Sequence, residues 1–297
     1  MGNNIIQYNH TAFNFFLKNL SIQQQLQEQL LYLLTNSRLF KGFLSTSYPT
    51  TTTISRLYYP TSITYRYTVA MQLSNQLSLS PIEIAQQIFY FLKTQSNPDD
   101  QECSQLTLTM KLILPGWLDF EVREHTLACW LQSLGEKILF QSNSPKIFGK
   151  TDNLFFIEYT YARCCSLLRL GETEGVFIPQ QKKLGHLTLP WKTPDPIPLL
   201  KNTDQLRLTD RAALALINQL LITVDKSVSN SSQSWYKLGT NLSKSILNFE
   251  RHCRIFGDLA QNNPKLSQAR LGLISISQRV LKWLWYSNLG NFPRSRL

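Results

Sequence analysis

The second half of the chain contains aromatic and arginine side chains at spacings that suit binding to nucleic acid. Phe156 and Tyr159 are three residues apart and would share one face of a helix. An aromatic ring can stack on an unpaired base, and a guanidinium can pair with phosphate. The candidate RNA-binding residues are Phe156, Tyr159, Arg163, Arg251, Arg254, Arg270, Arg279, Arg294 and Arg296. Other roles stay open, because the two aromatic rings could pack in a core and Arg163 could form a structural ion pair.

The charge balance of the chain also suits a polyanionic partner. Lys and Arg outnumber Asp and Glu by 30 to 19, which gives a net charge of +11 over 297 residues. A basic surface gains affinity for nucleic acid because each neutralised phosphate releases counterions. The alternative is a basic surface with no bound partner.

Residues that could carry catalysis or bind a metal do not form a known arrangement. The five cysteines include no Cys-x-x-Cys pair, which argues against a zinc site or a disulfide framework and favours reduced, buried thiols. No Ser/His/Asp or Cys/His constellation stands out around the four histidines, which are His10, His125, His186 and His252. We therefore expect no catalytic residue, no metal and no cofactor.

Targeting signals are not evident in the sequence. The N-terminus has no basic segment followed by an apolar core, as a signal peptide would have. The longest apolar runs are far shorter than the roughly 20 residues of a membrane helix. We expect a cytoplasmic protein that does not bind a membrane.

The hydrophobic pattern predicts a mainly α chain. Residues 106–114 partly alternate between apolar and polar types, and Pro115-Gly116 predicts a turn before a returning strand at 117–120. Ser78 or Ser80 could cap a helix that has Pro81 in its first turn. Helical spacing is present at 11–34, 67–92, 124–140, 154–170, 208–227, 233–259 and 264–288.

These elements suggest two domains. The segment 141–153 is polar and separates the two parts of the pattern. We expect a small N-terminal α+β domain at 1–140, a linker at 141–153, and an α-helical bundle at 154–297 with a Pro-rich loop at 171–206.

Several segments of the second half resemble one protein family. Tyr159-Thr160-Tyr161-Ala162-Arg163 resembles the opening helix of the DALR anticodon-binding domain of arginyl-tRNA synthetases. The segment from Phe249 to Ile255 resembles the family's Phe-Tyr-x-x-Cys-Arg-Val motif, with Glu250 in place of the tyrosine. The segments 269–273 and 278–281 are similar to the family's last helix, and Leu289-Gly290 with Pro293 to its C-terminal tail.

The first half resembles the N-terminal additional domain of the same family. Ser80-Pro81-Ile82-Glu83-Ile84-Ala85 is similar to the family's Asn-Pro-x-Glu-Ile-Ala. Pro115-Gly116-Trp117-Leu118-Asp119-Phe120 resembles its Pro-Gly-Phe-Ile-Asn-Phe segment. In synthetases this domain contacts the tRNA elbow, and aromatic residues of the DALR opening helix stack on anticodon bases.

The resemblance implies a tRNA-binding protein that is not an enzyme. A Rossmann catalytic domain, which needs on the order of 150 residues, separates the two domains in synthetases. Here only the interval 134–153 lies between them, and the HxGH and KMSKS motifs are absent. The expected partner is tRNA or another structured RNA. Two alternatives are a protein–protein scaffold derived from a synthetase, and an accessory subunit acting in trans in arginyl-tRNA aminoacylation.

Overall fold

The chain forms two compact units, 1–127 and 128–297. The predicted linker at 141–153 lies outside the described residues, so the domain boundary proposed there stays a prediction. The described part of the chain is mainly helical, with a small antiparallel sheet in the first unit, and this confirms the predicted fold class. The computed structural model describes residues 12–16, 20–37, 54–58, 62–94, 105–137, 154–179, 191–202, 204–228, 234–289 and 291–296.

The first unit is built on a five-stranded antiparallel sheet with strand order β1-β4-β5-β3-β2. Its elements are β1 (Ala12–Phe16), α1 (Ile22–Asn36), β2 (Ile54–Tyr58), β3 (Ile63–Tyr67), α2 (Val69–Leu77), α3 (Pro81–Thr94), β4 (Gln105–Ile113), β5 (Trp117–Val122) and α4 (Glu124–Lys137). The last of these helices crosses the division between the two units.

The hairpin of β4 and β5 confirms the predicted strand, turn and returning strand. Leu106, Leu108 and Met110 of β4 are fully buried, and the residues between them are partly exposed. Alternate residues of a strand point to opposite faces of the sheet, so this pattern gives the hairpin one core face.

The prediction of a helix over 11–34 is wrong at its beginning. Residues 12–16 form β1, which pairs with β4 from Ala12 opposite Thr109 to Phe16 opposite Gln105. The helix begins only at Ile22. Ser21 caps it, because its hydroxyl accepts a 3.1 Å hydrogen bond from the Gln24 amide. Pairing with a strand that lies 89–97 residues further along the chain therefore overrides the local helical spacing.

Of the two predicted caps, Ser78 and Ser80, it is Ser80 that starts α3, in a capping box with Glu83. The Ser80 amide and hydroxyl both donate to Glu83 Oε2, at 2.9 and 2.7 Å, and Pro81 occupies the first turn. These hydrogen bonds lower the pKa of Glu83. The start of α3 is therefore specified by residues that are neighbours in the sequence.

The second unit is a helical bundle in which α5 packs against α7 and α9. Its elements are α5 (Phe155–Thr173), β6 (Ile178–Pro179), β7 (Trp191–Thr193), α6 (Arg211–Val228), α7 (Trp235–His252), α8 (Asp258–Asn262) and α9 (Pro264–Leu289).

The end of α7 differs from the prediction, and the Pro-rich segment agrees with it. The helix predicted over 233–259 ends at His252, because the backbone becomes extended at Cys253 and left-handed at Gly257. The described part of the Pro-rich segment is not helical beyond Thr173, and it packs Ile197 against Gly272 of α9. That contact depends on a glycine, since a Cβ there would lie 2.5 Å from an Ile197 methyl carbon.

Substitution of Gly116 by alanine should destabilise the first unit by at least about 2 kcal/mol. The residue has φ +151°, and an added Cβ would lie 2.6 Å from the Pro81 carbonyl oxygen. Gly175→Ala is a matched control, because Gly175 has φ +70° but no atom within 4 Å of the added Cβ. Its expected loss is about 1 kcal/mol, from backbone strain alone. Urea unfolding followed by circular dichroism measures both losses, and equal values would contradict the contact with Pro81.

Candidate nucleic-acid interface

An aromatic pair projects from the outward face of α5. Phe155 and Tyr159 are 61% and 44% exposed, and their rings stack with centroids 6.2 Å apart and planes 27° from parallel. They are four residues apart, so they lie on one side of the helix. The opposite side carries Ile157, Tyr161 and Cys164, which are buried. Packing of that side therefore holds the aromatic pair toward solvent.

The partner of Tyr159 is not the residue that the sequence suggested. Phe156 is half-buried, and its carbonyl oxygen accepts a 2.9 Å hydrogen bond from the Thr160 hydroxyl. Phe155 takes its place beside Tyr159, and sequence reasoning missed it. The sequence carries no signal that separates Phe155 from Phe156, because apolar and aromatic residues occur on every side of this part of α5.

Arg163 continues this face by one further turn and is tied to α7. Its Nη2 and Nε lie 2.6 and 2.8 Å from Oε1 of Glu250. The Arg163 guanidinium is charged at neutral pH, and the hydrogen bond to Glu250 raises its pKa further. The structural ion pair left open by the sequence is therefore present, although 47% of the Arg163 side chain is still exposed.

The end of α7 exposes two of the predicted arginines. Arg251 follows Glu250 directly and is exposed, as is Arg254 just beyond the helix. The backbone carbonyl of Arg254 accepts a 2.6 Å hydrogen bond from Nη1 of Arg270, which fixes the chain at this point.

Arg270 lies inside the bundle, which corrects its predicted placement on a binding surface, whereas Arg279 is partly buried. Arg270 is 8% exposed and pairs through Nη2 with Oδ2 of Asp210 at 2.7 Å. Arg279 is largely withdrawn from solvent, and this desolvation lowers its pKa. Most residues of α9 between 269 and 281 are buried, which explains why both side chains are withdrawn from solvent.

The tail after α9 is held against α5 by Arg294. Its backbone amide and its Nε both donate to Oε1 of Glu158, at 3.0 and 2.9 Å, and its Nη2 donates to Oε2 at 2.8 Å. Hydrogen bonding from Arg294 lowers the pKa of the buried Glu158, against the opposing effect of desolvation. The contact therefore contributes stability at neutral pH and is lost as the pH falls through that lowered pKa.

Other contacts fix the tail on both sides of Arg294. The Phe292 ring stacks on Tyr286 at 4.7 Å and lies 4.7 Å from the ammonium of Lys282. Beyond Arg294, the carbonyl of Ser295 accepts a 3.3 Å hydrogen bond from Arg169 of α5. The next residue, Arg296, is exposed.

Two glutamates bring several of the predicted residues close to one another. Glu158 directly precedes Tyr159 and binds Arg294, and Glu250 directly precedes Arg251 and binds Arg163. Arg163 thus lies one turn beyond Tyr159 on the same face, and Arg294 binds the residue that directly precedes Tyr159. We call Phe155, Tyr159, Arg163 and Arg294 the α5 face.

Cysteine chemistry does not contribute to this surface. Cys164, Cys165 and Cys253 are free and buried, as expected, and burial raises the pKa of the Cys164 thiol. Cys129 is an exception to the expected reduced thiols, because it is disulfide-bonded. Spacing in the sequence does not reveal which cysteines a fold brings together.

The described ranges contain neither a candidate metal site nor a candidate membrane-spanning helix. There, His, Cys, Asp and Glu side chains do not gather in groups of three or more that could hold a metal ion. None of the helices described above combines the length and the apolar character that crossing a bilayer requires.

Comparison with known proteins relates the chain to a synthetase. It is 31% identical over 151 residues to an arginine–tRNA ligase of Gloeobacter violaceus. Over that stretch the chain is similar to a synthetase. The matched stretch covers 50% of this chain and only 23% of that ligase, so the chain corresponds to a minor part of it. No protein-family model matches the chain. No solved structure matches it significantly.

This relationship confirms the coarser part of the resemblance described above. The assignment of an N-terminal additional domain and a DALR domain to this synthetase-related chain stays a prediction. The RNA-binding role of the nine predicted residues is likewise untested. Six of them are exposed, Phe156 and Arg279 are partly buried, and Arg270 is buried.

Glu158→Gln should release the tail and expose it to trypsin. Trypsin must accept the Arg294 side chain before it can cleave the following bond, and the wild-type guanidinium is bound to a carboxylate. Loss of the charge weakens these hydrogen bonds and increases the population of the open tail, so cleavage after Arg294 should become several-fold faster. Mass spectrometry of a digestion time course measures the rate.

The matched control for this experiment is Glu250→Gln. It removes the other carboxylate that binds an arginine of the α5 face, but it leaves the tail contact intact. Equal cleavage rates in wild type and Glu158→Gln would show that Glu158 does not hold the tail.

Proposed function

We propose that this chain is a non-catalytic, synthetase-related protein that binds tRNA or another structured RNA. The observation that carries the proposal is the exposed, stacked pair of Phe155 and Tyr159, with Arg163 one turn further on and Arg294 bound to the neighbouring Glu158. Its distant relationship to an arginine–tRNA ligase supports the same ligand class. Binding combines base stacking on α5 with neutralisation of phosphates around it.

Stacking supplies the first part of this binding. The two rings are nearly parallel and exposed, so an unpaired base can extend the stack. Each base stacked on an aromatic side chain contributes about 1–3 kcal/mol. Because Ile157 and Tyr161 pack the opposite side of the helix, the rings are held in place before any ligand arrives.

Phosphate binding can use arginine donors that the ion pairs leave available. Arg163 and Arg294 contact their carboxylates through Nε and Nη2. A guanidinium has five N–H donors, so Nη1 of each residue can still donate to a phosphate oxygen. Arg251, Arg254 and Arg296 are exposed and add positive charge. The proposal leaves out Arg270 and Arg279, because Arg270 is buried and Arg279 is largely withdrawn from solvent.

Absence of catalysis is the second part of the proposal. The two segments that resemble synthetase domains are separated by the interval 134–153, and the chain carries neither HxGH nor KMSKS. A nucleotide-binding domain of on the order of 150 residues does not fit in that interval.

A protein–protein scaffold is the second candidate. Glu158 and Glu250 neutralise two arginines of the α5 face, which weakens its attraction for phosphate. Tyr32 and Tyr90 of the first unit are 69% and 57% exposed, as side chains in a protein interface often are before binding. Binding to RNA that does not change with salt concentration would favour this candidate.

Tyr159→Ala should weaken RNA binding by roughly 5- to 150-fold, the equivalent of one lost stacking interaction. Filter binding with total tRNA over a range of salt concentrations measures the affinity. Tyr159→Phe should bind like wild type, since its ring still stacks. Tyr90→Ala is the matched control, because it removes an exposed tyrosine from the first unit. Equal affinities for Tyr159→Ala and Tyr90→Ala would contradict the role of the α5 face.

The purified chain should not attach arginine to tRNA. An aminoacylation assay with radiolabelled arginine, ATP and total tRNA tests this, and an active arginyl-tRNA synthetase is the positive control. The expected signal is that of the sample without protein. Arginylation above that background would overturn the non-catalytic part of the proposal and leave the RNA-binding part intact.

A further inference from the structure

A line of basic side chains runs along the outward side of α7. Lys237, Lys244 and Arg251 recur every seven residues, so they lie within about 40° of one another around the helix axis. All three are exposed, whereas Leu242 and Phe249 on the opposite side are fully buried. We call these three cationic residues the α7 line. Sequence analysis selected only Arg251 from it.

No acidic side chain interrupts the α7 line. Glu250 is the one carboxylate in this helix, and it turns away to bind Arg163 of α5. Asn241 and Asn248 lie between the cations on the same side of α7. Among the described residues, no ion pair joins a member of the line to an acid. Its charge is therefore available to an external anion.

We propose that the α7 line binds the backbone phosphates of a base-paired RNA segment. This inference rests on the proposed RNA-binding function and names the part of the RNA that a second surface would take. The line is about 21 Å long, from a rise of ~1.5 Å per residue, and the helix holds its cations at fixed intervals. A regular duplex matches fixed intervals better than a flexible strand does. Paired RNA is recognised mostly through its shape, its phosphates and its 2′-hydroxyls.

The asparagines of this surface fit the same ligand. A side-chain amide both donates and accepts hydrogen bonds, and a 2′-hydroxyl does so too. Asn241 and Asn248 could contact the sugars while the flanking cations contact phosphates. Unpaired bases of the same RNA would stack on the aromatic pair of the α5 face. The α7 line contains no aromatic residue and would bind phosphates only.

The test compares two charge-matched triple variants of the full chain. One carries Lys237→Gln, Lys244→Gln and Arg251→Gln. The control carries Lys192→Gln, Lys201→Gln and Lys265→Gln, which removes three exposed lysines elsewhere in the same unit. Glutamine has a helix propensity close to that of lysine and arginine, so α7 should stay folded, and circular dichroism checks this.

Affinity is measured over a range of salt concentrations for two RNAs. One is a hairpin whose stem is long enough to span the α7 line, and the other is its loop sequence as a single strand. Each lost phosphate contact lowers the slope of log affinity against log salt by about 0.7–0.9, so the α7 variant should lose about 2–3 from its hairpin slope. Its slope for the single strand should equal that of the control variant.

Two results would overturn this inference while the proposed function stands. One is a hairpin slope that is the same for the α7 variant and the control variant, together with weaker binding by Tyr159→Ala. The other is an equal loss of slope on both RNAs, which would show that the line does not distinguish paired RNA. If wild type binds neither RNA, the proposed function itself fails.

Discussion

Two ion pairs connect α5 to other parts of the second unit. The helix supplies the carboxylate of one pair and the guanidinium of the other. Glu158 of α5 holds Arg294 of the tail, and Arg163 of α5 is held by Glu250 of α7. Partly exposed ion pairs contribute little to the free energy of unfolding. Their effect here is geometric, because they attach the tail to the residue that precedes Tyr159 and connect Arg163 to α7. Ile157, Tyr161 and Cys164 on the opposite side of α5 are buried, so the aromatic pair faces solvent.

The same two pairs reduce the positive charge of the α5 face. Each carboxylate offsets one guanidinium, so attraction of a polyanion to this face is weaker than the number of arginines suggests. Under the proposed function, binding on α5 then depends mainly on stacking, which salt affects little. Long-range attraction depends on cations without a carboxylate partner, and α7 has three of these at regular intervals. Under the two proposals, the two helices would therefore make different contributions to binding, stacking on α5 and positive charge on α7.

Local patterns in the sequence were sufficient where neighbouring residues determine the structure. Ser80 and Glu83 specify the start of α3 through hydrogen bonds across one turn, and the alternation in β4 specifies its buried face. Long-range contacts decided the rest. Residues 12–16 have helical spacing but pair with β4, and Arg270 has the residue type of a surface but meets Asp210, sixty residues away. Whether Phe155 or Phe156 faces solvent depends on how α5 is rotated against α7 and α9, which its own sequence does not fix.

Glu250 also bears on what the α5 face could distinguish in an RNA. The related motif has tyrosine at this position, whereas here a carboxylate occupies Nε and Nη2 of Arg163. Recognition of a particular base by arginine usually needs two parallel hydrogen bonds from one guanidinium. Glu250 uses the Nε–H and one Nη2–H of Arg163, so the second Nη2–H and both Nη1–H donors remain and could form such a contact end-on. Stacking on Phe155 and Tyr159 accepts any base, because every base has a flat aromatic surface. Under the proposed function, any selection among bases on the α5 face would therefore have to come from Arg163, because the stacked rings supply none.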